Sequence, residues 1–331
     1  MVGLERALSM DALVVGAGVN GSVAAMVLAE AGLKVQLLDA GPQLSARQAL
    51  GREPWNSLRR IASISSGRQR LQAAHPGYWK HNPDLYVDEL RNPYTTPGDA
   101  PFLWTRGRQV GGKSLTWGGI TLRLSELEFR AGERDGHGPS WPIGSRELSP
   151  YYERLERLLG VHGHCDGLMQ LPDGCFRPPL PFTPAEQHLR QAIARELDLP
   201  LIHSRGFALH RPSASSPWPD SSAQGITLPR ALATGRVQLR ANTLVSHLEM
   251  DPSQRRARGV VVVDAASGRR ELVEAPLVVL CASTIETVRI LLHSSEDHRP
   301  GGLSAGRAAP AAPATRRPAP LPVLPPGPVA G

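Results

Sequence analysis

Apolar residues along this chain fall into two patterns, short unbroken runs and repeats at three- or four-residue spacing, and both occur first between residues 11 and 41. Ala12–Val15 is an unbroken run, as expected of a strand covered on both faces. Val23, Val27 and Ala31 then recur at helical spacing and predict a helix that buries them, closed by Gly32. Lys34–Leu38 reads as a second strand ending on Asp39. Further on, Tyr151, Leu155, Leu158 and Leu159 predict the buried stripe of a helix that starts at Ser149 with Pro150 in its first turn, ends at Gly160, and pairs Glu153 with Arg157 on its outer side. Leu189, Ile193 and Leu197 mark an amphipathic helix over Pro184–Leu197. Residues 236–282 are strand-rich, with runs at 237–239, 244–250, 259–263, 271–274 and 277–282 and a hairpin turn at Ser267-Gly268. Ser283 and Glu286 then form an S-x-x-E capping box for a helix burying Ile285, Val288, Leu291 and Leu292. From Gly41 to about Leu103 there is little periodicity and much proline, which predicts an excursion of loops forming a lid or an interface.

The turn between the first strand and the first helix carries chemistry. Gly16, Gly18 and Gly21 follow the strand at G-x-G-x-x-G spacing. The first glycine suits a tight turn, the second lets backbone approach a pyrophosphate, and the third lets the helix pack on the strand. The helix start offers free N–H groups and the positive end of its dipole. Asp39, 18 residues after Gly21, stands where a carboxylate accepts ribose hydroxyls. Strand, glycine turn, helix, second strand and terminal acid together point to a bound dinucleotide.

Composition narrows the class. With 331 residues and 41% hydrophobic content the chain can bury a sizeable core. The net charge of +7 comes from scattered arginines without a recognition motif, which argues against a nucleic-acid partner. No apolar run is long enough for a membrane span, and MVGLERALSM has no secretory apolar core. Together with three cysteines that cannot all pair, this leads to the expectation of a cytoplasmic protein, with periplasmic export beside a partner subunit left open. His162, His164, Cys165 and Cys175 crowd one loop, but their spacing fits no zinc scheme and no metal is expected. His203 and His210 read as loop histidines, and Cys281 reads as a small buried residue.

A second glycine-rich segment, RGRQVGGKSLTWGGITL over residues 106–122, holds Gly111 and Gly112 before Lys113 and Ser114. Such a segment can wrap an anion or lie flat on a ring system, with Lys113 and Ser114 as donors and Trp117 as an apolar wall; a structural hairpin or bulge fits it equally.

With these stretches in view the sequence resembles the glucose-methanol-choline (GMC) flavin oxidoreductases, in particular their bacterial sugar and gluconate dehydrogenase branch. The resemblance rests on Gly16-Ala17-Gly18-Val19-Asn20-Gly21 with Asp39-Ala40-Gly41, on Val110 to Gly119, and on Trp141-Pro142-Ile143, Pro150-Tyr151-Tyr152-Glu153 and Leu159-Gly160-Val161. It implies a Rossmann-like α/β fold of three layers with an incomplete second, substrate domain, and FAD bound at Gly16, Gly18, Gly21, Asp39, Ala40, Gly111, Gly112, Ser114, Val245 and Ala282. Thr116 stands where some relatives carry the histidine that bonds covalently to flavin, so the resemblance implies non-covalent FAD. It further implies hydride transfer from the CH–OH group of an alcohol, sugar or sugar acid, and it admits a small subunit and a cytochrome acceptor. It covers about residues 11–303, and the region that supplies the family's catalytic histidine has no counterpart in the sequence. Residues 304–331 are mostly Pro, Ala and Gly, which leads to the expectation of a disordered tail arising from a shifted reading frame or a truncation.

The resulting division is 1–48 for the βαβ unit, 49–160 for an insertion with the second flavin loop, 161–235 for part of a substrate domain and 236–303 for a return to the nucleotide domain. Two other readings stand beside this one: an NAD-dependent dehydrogenase, which gives the second glycine loop no role, and an inactive flavin-binding remnant.

Overall fold

The computed structural model describes residues 10–210, 213–251, 253, 256–295 and 301–303. The expected disordered tail at 304–331 lies outside the described residues. In chain order the strands and helices are β1 (Ala12–Val15), α1 (Val19–Glu30), β2 (Val35–Leu38), α2 (Ala46–Leu50), α3 (Trp55–Ser65), α4 (Glu126–Phe129), α5 (Ala131–Arg134), α6 (Ser145–Leu159), α7 (Pro184–Leu197), α8 (Thr227–Ala233), β3 (Val237–Arg240), β4 (Thr243–Met250), β5 (Ala257–Asp264), β6 (Arg270–Glu274), β7 (Leu277–Leu280) and α9 (Thr284–His293). They belong to two compact units, one running to Thr116 and resuming at Ser222, the other spanning Trp117–Ser221.

The first unit is built on a parallel sheet of order β3-β2-β1-β7. β1 is its central strand, with Ala12–Val15 in register with Val35–Leu38 on one side and Leu277–Leu280 on the other. Alternation along β1 then sets the layers. Leu13 and Val15, with Leu38 of β2, pack against Val245 and Leu248 of β4, Val260 and Val262 of β5, and Ile290 of α9. β4, β5 and β6 form an antiparallel meander that makes this third layer. On the opposite face α1 packs against α8, and a 2.6 Å hydrogen bond between the buried hydroxyls of Ser22 and Thr227 joins the two helices. The α/β, three-layer Rossmann-like architecture expected from the sequence is therefore present.

Several local expectations are corrected. The buried face of α1 is Gly21, Ser22, Ala25, Met26 and Ala29, whereas Val27 is 36% exposed and Ala31 is exposed. Close helix–sheet and helix–helix contact selects small residues there, so the aliphatic repeat is the wrong marker. α6 starts at Ser145, a turn before Pro150, because the Glu147 carboxylate accepts the Gly144 N–H at 2.8 Å; Tyr151 lies outside, while Glu156 is buried. The stripe on α7 buries nothing, with Leu189 and Leu197 at least half exposed. In α9 only Ile290 is buried, while Ile285, Val288 and Leu292 face outward. The Ser283–Glu286 capping box does not form, because Ser283 sits at φ 76° and ψ 162° without a side-chain cap bond and Glu286 pairs with Arg289 at 2.7 Å. The expected excursion after Gly41 contains α2 and α3, and α3 escapes its sequence pattern because its buried residues are the polar Asn56 and Ser63.

The Trp117–Ser221 unit is held by buried ionic contacts. Arg123 donates to both carboxylate oxygens of Glu156, at 2.8 and 2.6 Å. Arg205, 1% exposed, donates to Asp166 and Asp173 and to the Leu171 and Pro172 carbonyls, with its guanidinium 5.0 Å from the Phe176 ring centre. These contacts fix the loop between residues 163 and 177.

Candidate nucleotide site

The carboxyl ends of β1, β2 and β7 converge with the start of α1. Gly16 takes φ +101°, and a Cβ there would stand 2.5 Å from the Cys281 carbonyl oxygen and 3.0 Å from Ala282 Cα, so β1 can turn beside β7 only through glycine. Gly21 is equally constrained, since a Cβ would meet the Gly16 carbonyl oxygen at 1.7 Å. Gly18 differs. It caps α1 at φ −73° with no side-chain cap bond, and a Cβ there would meet nothing within 4 Å. Of the three glycines, two serve close packing and the middle one borders open space at a helix start whose first N–H groups have no capping side chain.

The second glycine loop docks on the first. The Gly111 N–H donates to the Ala17 carbonyl at 2.9 Å, the Val110 N–H donates to the Pro42 carbonyl at 3.1 Å, and a Cβ on Gly112 would lie 3.7 Å from Gly18 Cα. Gly111 and Gly112 both have positive φ and lead into a single 3₁₀ turn, Gly112–Leu115. Ser114 is buried within this architecture: its hydroxyl donates to the Gly111 carbonyl at 2.6 Å and accepts the Ala223 N–H at 3.0 Å. Lys113, expected as a free donor, gives its ammonium to the Thr105 hydroxyl, and burial holds its pKa below the ordinary lysine value.

Asp39 closes β2. Its Oδ2 accepts the Ala17 N–H at 2.8 Å and its Oδ1 accepts the Gly41 N–H at 2.9 Å, so the carboxylate braces both the glycine turn and the bend at Ala40. Burial pushes its pKa up, against the opposing pull of those two N–H groups and the Arg108 guanidinium. β4 leaves from the same corner, with the Thr243 N–H donating to the Asp39 carbonyl at 2.7 Å and the Asn242 N–H to the Gly41 carbonyl at 2.9 Å. Val245 lies two residues further along β4; its side chain is in the core and its carbonyl accepts Arg289 Nη2 at 2.7 Å.

The structure thus brings Gly16, Gly18, Gly21, Asp39, Ala40, Gly111, Gly112, Ser114 and Ala282 to one corner of the sheet, with Val245 beside it. Two residues that the sequence did not single out belong there. Gln224, 8% exposed, donates to the Val110 carbonyl and packs where a Gly111 Cβ would stand. Gln109, 2% exposed, donates to the Gly112 carbonyl at 3.2 Å. The Oε1 atoms of both are buried without a partner among the described residues. Nothing in the local sequence of Gln224 signals this role, because its partners are more than a hundred positions away. An uncapped helix start and a glycine facing open space fit the pyrophosphate of a dinucleotide.

Comparison with known proteins agrees. The NAD(P)-binding Rossmann-like domain family matches residues 14–68. A 2-methyl-1,2-propanediol dehydrogenase of Mycolicibacterium austroafricanum is 28% identical over 89% of this chain and 52% of its own length. A 6'''-hydroxyparomomycin C oxidase of Streptomyces lividus is 28% identical over 88% of this chain and 52% of its own. The chain spans about half the length of these curated relatives. Among solved structures, an FAD-dependent oxidoreductase from Chaetomium thermophilum superposes with a TM-score of 0.52 at 20% identity, covering 86% of this chain and 47% of that one, which shows a shared fold. The homologues of this chain are thus GMC-type FAD-dependent oxidoreductases, and the unit that carries its two glycine loops is Rossmann-like.

Proposed function

We propose that the chain is the nucleotide-binding part of an FAD-dependent oxidoreductase acting on CH–OH groups of a small alcohol, sugar or sugar acid. The observation that carries this reading is the docking of the second glycine loop on the first through the Gly111–Ala17 hydrogen bond, 2.9 Å long. The nicotinamide reading gives the second loop no role, whereas a flavin ring system can lie on its glycine backbone. When bound, flavin supplies the acceptor for the hydride that leaves the alcohol carbon.

The chain's own residues hold and orient. The N–H groups opening α1 bind the pyrophosphate, Gly18 leaves it room, and Asp39 fixes the turn that aims those N–H groups. Ser114 and Gln224 lock the Gly111 turn from behind. Thr116 is 4% exposed and offers a hydroxyl where a covalent link would call for an imidazole, which supports non-covalent binding. No described side chain is assigned as the base for the hydroxyl proton. We assign residues 1–48 and 236–303 to the nucleotide domain together with α8, which packs on α1, 49–160 to an insertion that carries the second loop, and the rest of 161–235 to part of a substrate domain; a small subunit and a cytochrome acceptor are the partners this reading admits.

Acid precipitation of the purified protein tests the reading. FAD released into the supernatant is the expected result. Flavin retained by the pellet would exclude non-covalent binding, and a colourless protein that binds NAD but not added FAD would sink the flavin assignment.

A further inference from the structure

Within the Trp117–Ser221 unit a cleft of about 780 Å³ is lined by Cys165 and Cys175 together with His164, Arg157, Phe176 and Arg177. The nucleotide site makes no use of it, and both thiols are free. Cys165 Sγ is 3.5 Å from the carbonyl oxygen of Gly174, so one thiol already touches the peptide that leads into the other cysteine. The two chain arms are tied immediately inside the pair: the Asp166 and Gly167 N–H groups donate to the Asp173 carboxylate at 2.8 and 3.0 Å. Buried Arg205 gathers the Asp166 and Asp173 carboxylates at 3.1 and 3.0 Å, which holds the base of the loop independently of the thiols. Cys175 also has a cation in place, since Arg157 Nη2 donates to its sulfur at 3.1 Å.

We propose that Cys165 and Cys175 form a dithiol/disulfide modification site that closes the 165–175 loop when the protein meets a small-molecule disulfide. The step is thiol–disulfide exchange. Cys175, on losing its proton beside Arg157, attacks the small disulfide, forms a mixed disulfide and expels one small thiolate. Cys165, losing its proton, then attacks the Cys175 sulfur and expels the second small thiolate. The protein loses two electrons and two protons, and one small disulfide becomes two thiols. The ties at Asp166, Gly167 and Asp173 hold the two arms of the loop together without help from the thiols, and Cys165 already lies against the peptide before Cys175. Cys281 is the internal control: it lies at the end of β7 in the other unit, and burial pushes its thiol pKa up.

The test uses the full chain with oxidised glutathione, acid quench, alkylation and peptide mapping. The expected product is a Cys165–Cys175 linked peptide with Cys281 still alkylated, reversed by dithiothreitol. Arg157→Gln, which removes the cationic donor to the Cys175 sulfur, should slow its formation by roughly three- to tenfold. Stable mixed adducts without a link, both thiols left alkylatable, or a bridge to Cys281 would each overturn the proposal. Because the readout is on wild-type protein, it does not depend on a cysteine variant folding.

Discussion

Replacing Gly18 with alanine separates nucleotide binding from folding. At φ −73° and ψ −171° the backbone of residue 18 is ordinary for alanine, and the added methyl meets no atom within 4 Å. For the apo-protein, alanine gains about 0.4–1 kcal/mol by restricting the unfolded chain. It loses about the same as a poorer N-cap than glycine, so the net change should stay within about 0.5 kcal/mol. The methyl does fill the space over the opening of α1, where the pyrophosphate should lie. Loss of one or two N–H bonds to a charged group costs about 2–3 kcal/mol, which corresponds to roughly 30- to 150-fold weaker FAD binding. Gly21→Ala should do the reverse, destabilising the apo-protein by about 3 kcal/mol or more, because its Cβ would lie 1.7 Å from the Gly16 carbonyl oxygen. The assay is FAD titration of deflavinated protein by fluorescence quenching, alongside thermal melts without FAD. A Gly18→Ala protein that keeps FAD affinity within threefold, or that melts well below wild type without FAD, would refute the assignment of this glycine to the ligand.

Ser283→Gly should raise stability by about 1 kcal/mol in denaturant titrations, since a serine at φ 76° carries about 1–3 kcal/mol of strain that glycine relieves at about 1 kcal/mol of backbone entropy; an unchanged midpoint would show that the strain is absent. Arg205→Met should cost about 3 kcal/mol, because it leaves Asp166 Oδ2 and two carbonyls without their donor in a buried site, and it should expose the 163–177 loop to protease; equal urea midpoints for both proteins would contradict that. His247 and His293 both have pKa values held below the ordinary 6.5, chiefly by burial. The unfolded chain therefore takes up these protons first, and stability present above pH 6.5 should be lost as pH falls through 6.5 toward the lowered values. A double His→Gln variant should flatten that decline in urea midpoints between pH 7.5 and 5.5, and an unchanged slope would count against it.

What could be read from the sequence was what neighbouring residues decide. The βαβ unit, the G-x-G-x-x-G turn and Asp39 lie within one stretch of chain, and the spacing of the glycines shows there even though the clash that fixes Gly16 is with distant Cys281. The second loop was readable as a glycine cluster, but the use of Ser114 was not, because its partner Ala223 lies 109 positions away. Separation along the chain also hid Gln224, 114 positions from Val110, and the Arg205 and Arg123–Glu156 contacts, whose charges look like ordinary surface residues until the fold buries them. The buried face of α1 was misjudged, and α3 was missed, for a different reason. Hydrophobic periodicity assumes that the buried side is the greasier one, and here close packing buries Ser22 and Ala25, while Asn56 is buried with its amide bonded to the Leu50 carbonyl at 3.0 Å.

The order of strands in the parallel sheet has a consequence for synthesis. β1 pairs with β2 early, but its other neighbour, β7, begins only at Leu277, and β3, the outer neighbour of β2, begins only at Val237. At translation rates of about 5–20 residues per second, β1 and β2 wait roughly 10–50 seconds on the ribosome before the sheet can close. During that interval the nascent chain presents unpaired apolar strand edges, with pairings of very high contact order still to be made. Recombinant yield should therefore respond to slowed translation and to co-expressed chaperones that shelter nascent chains more than to any stabilising substitution in the finished fold.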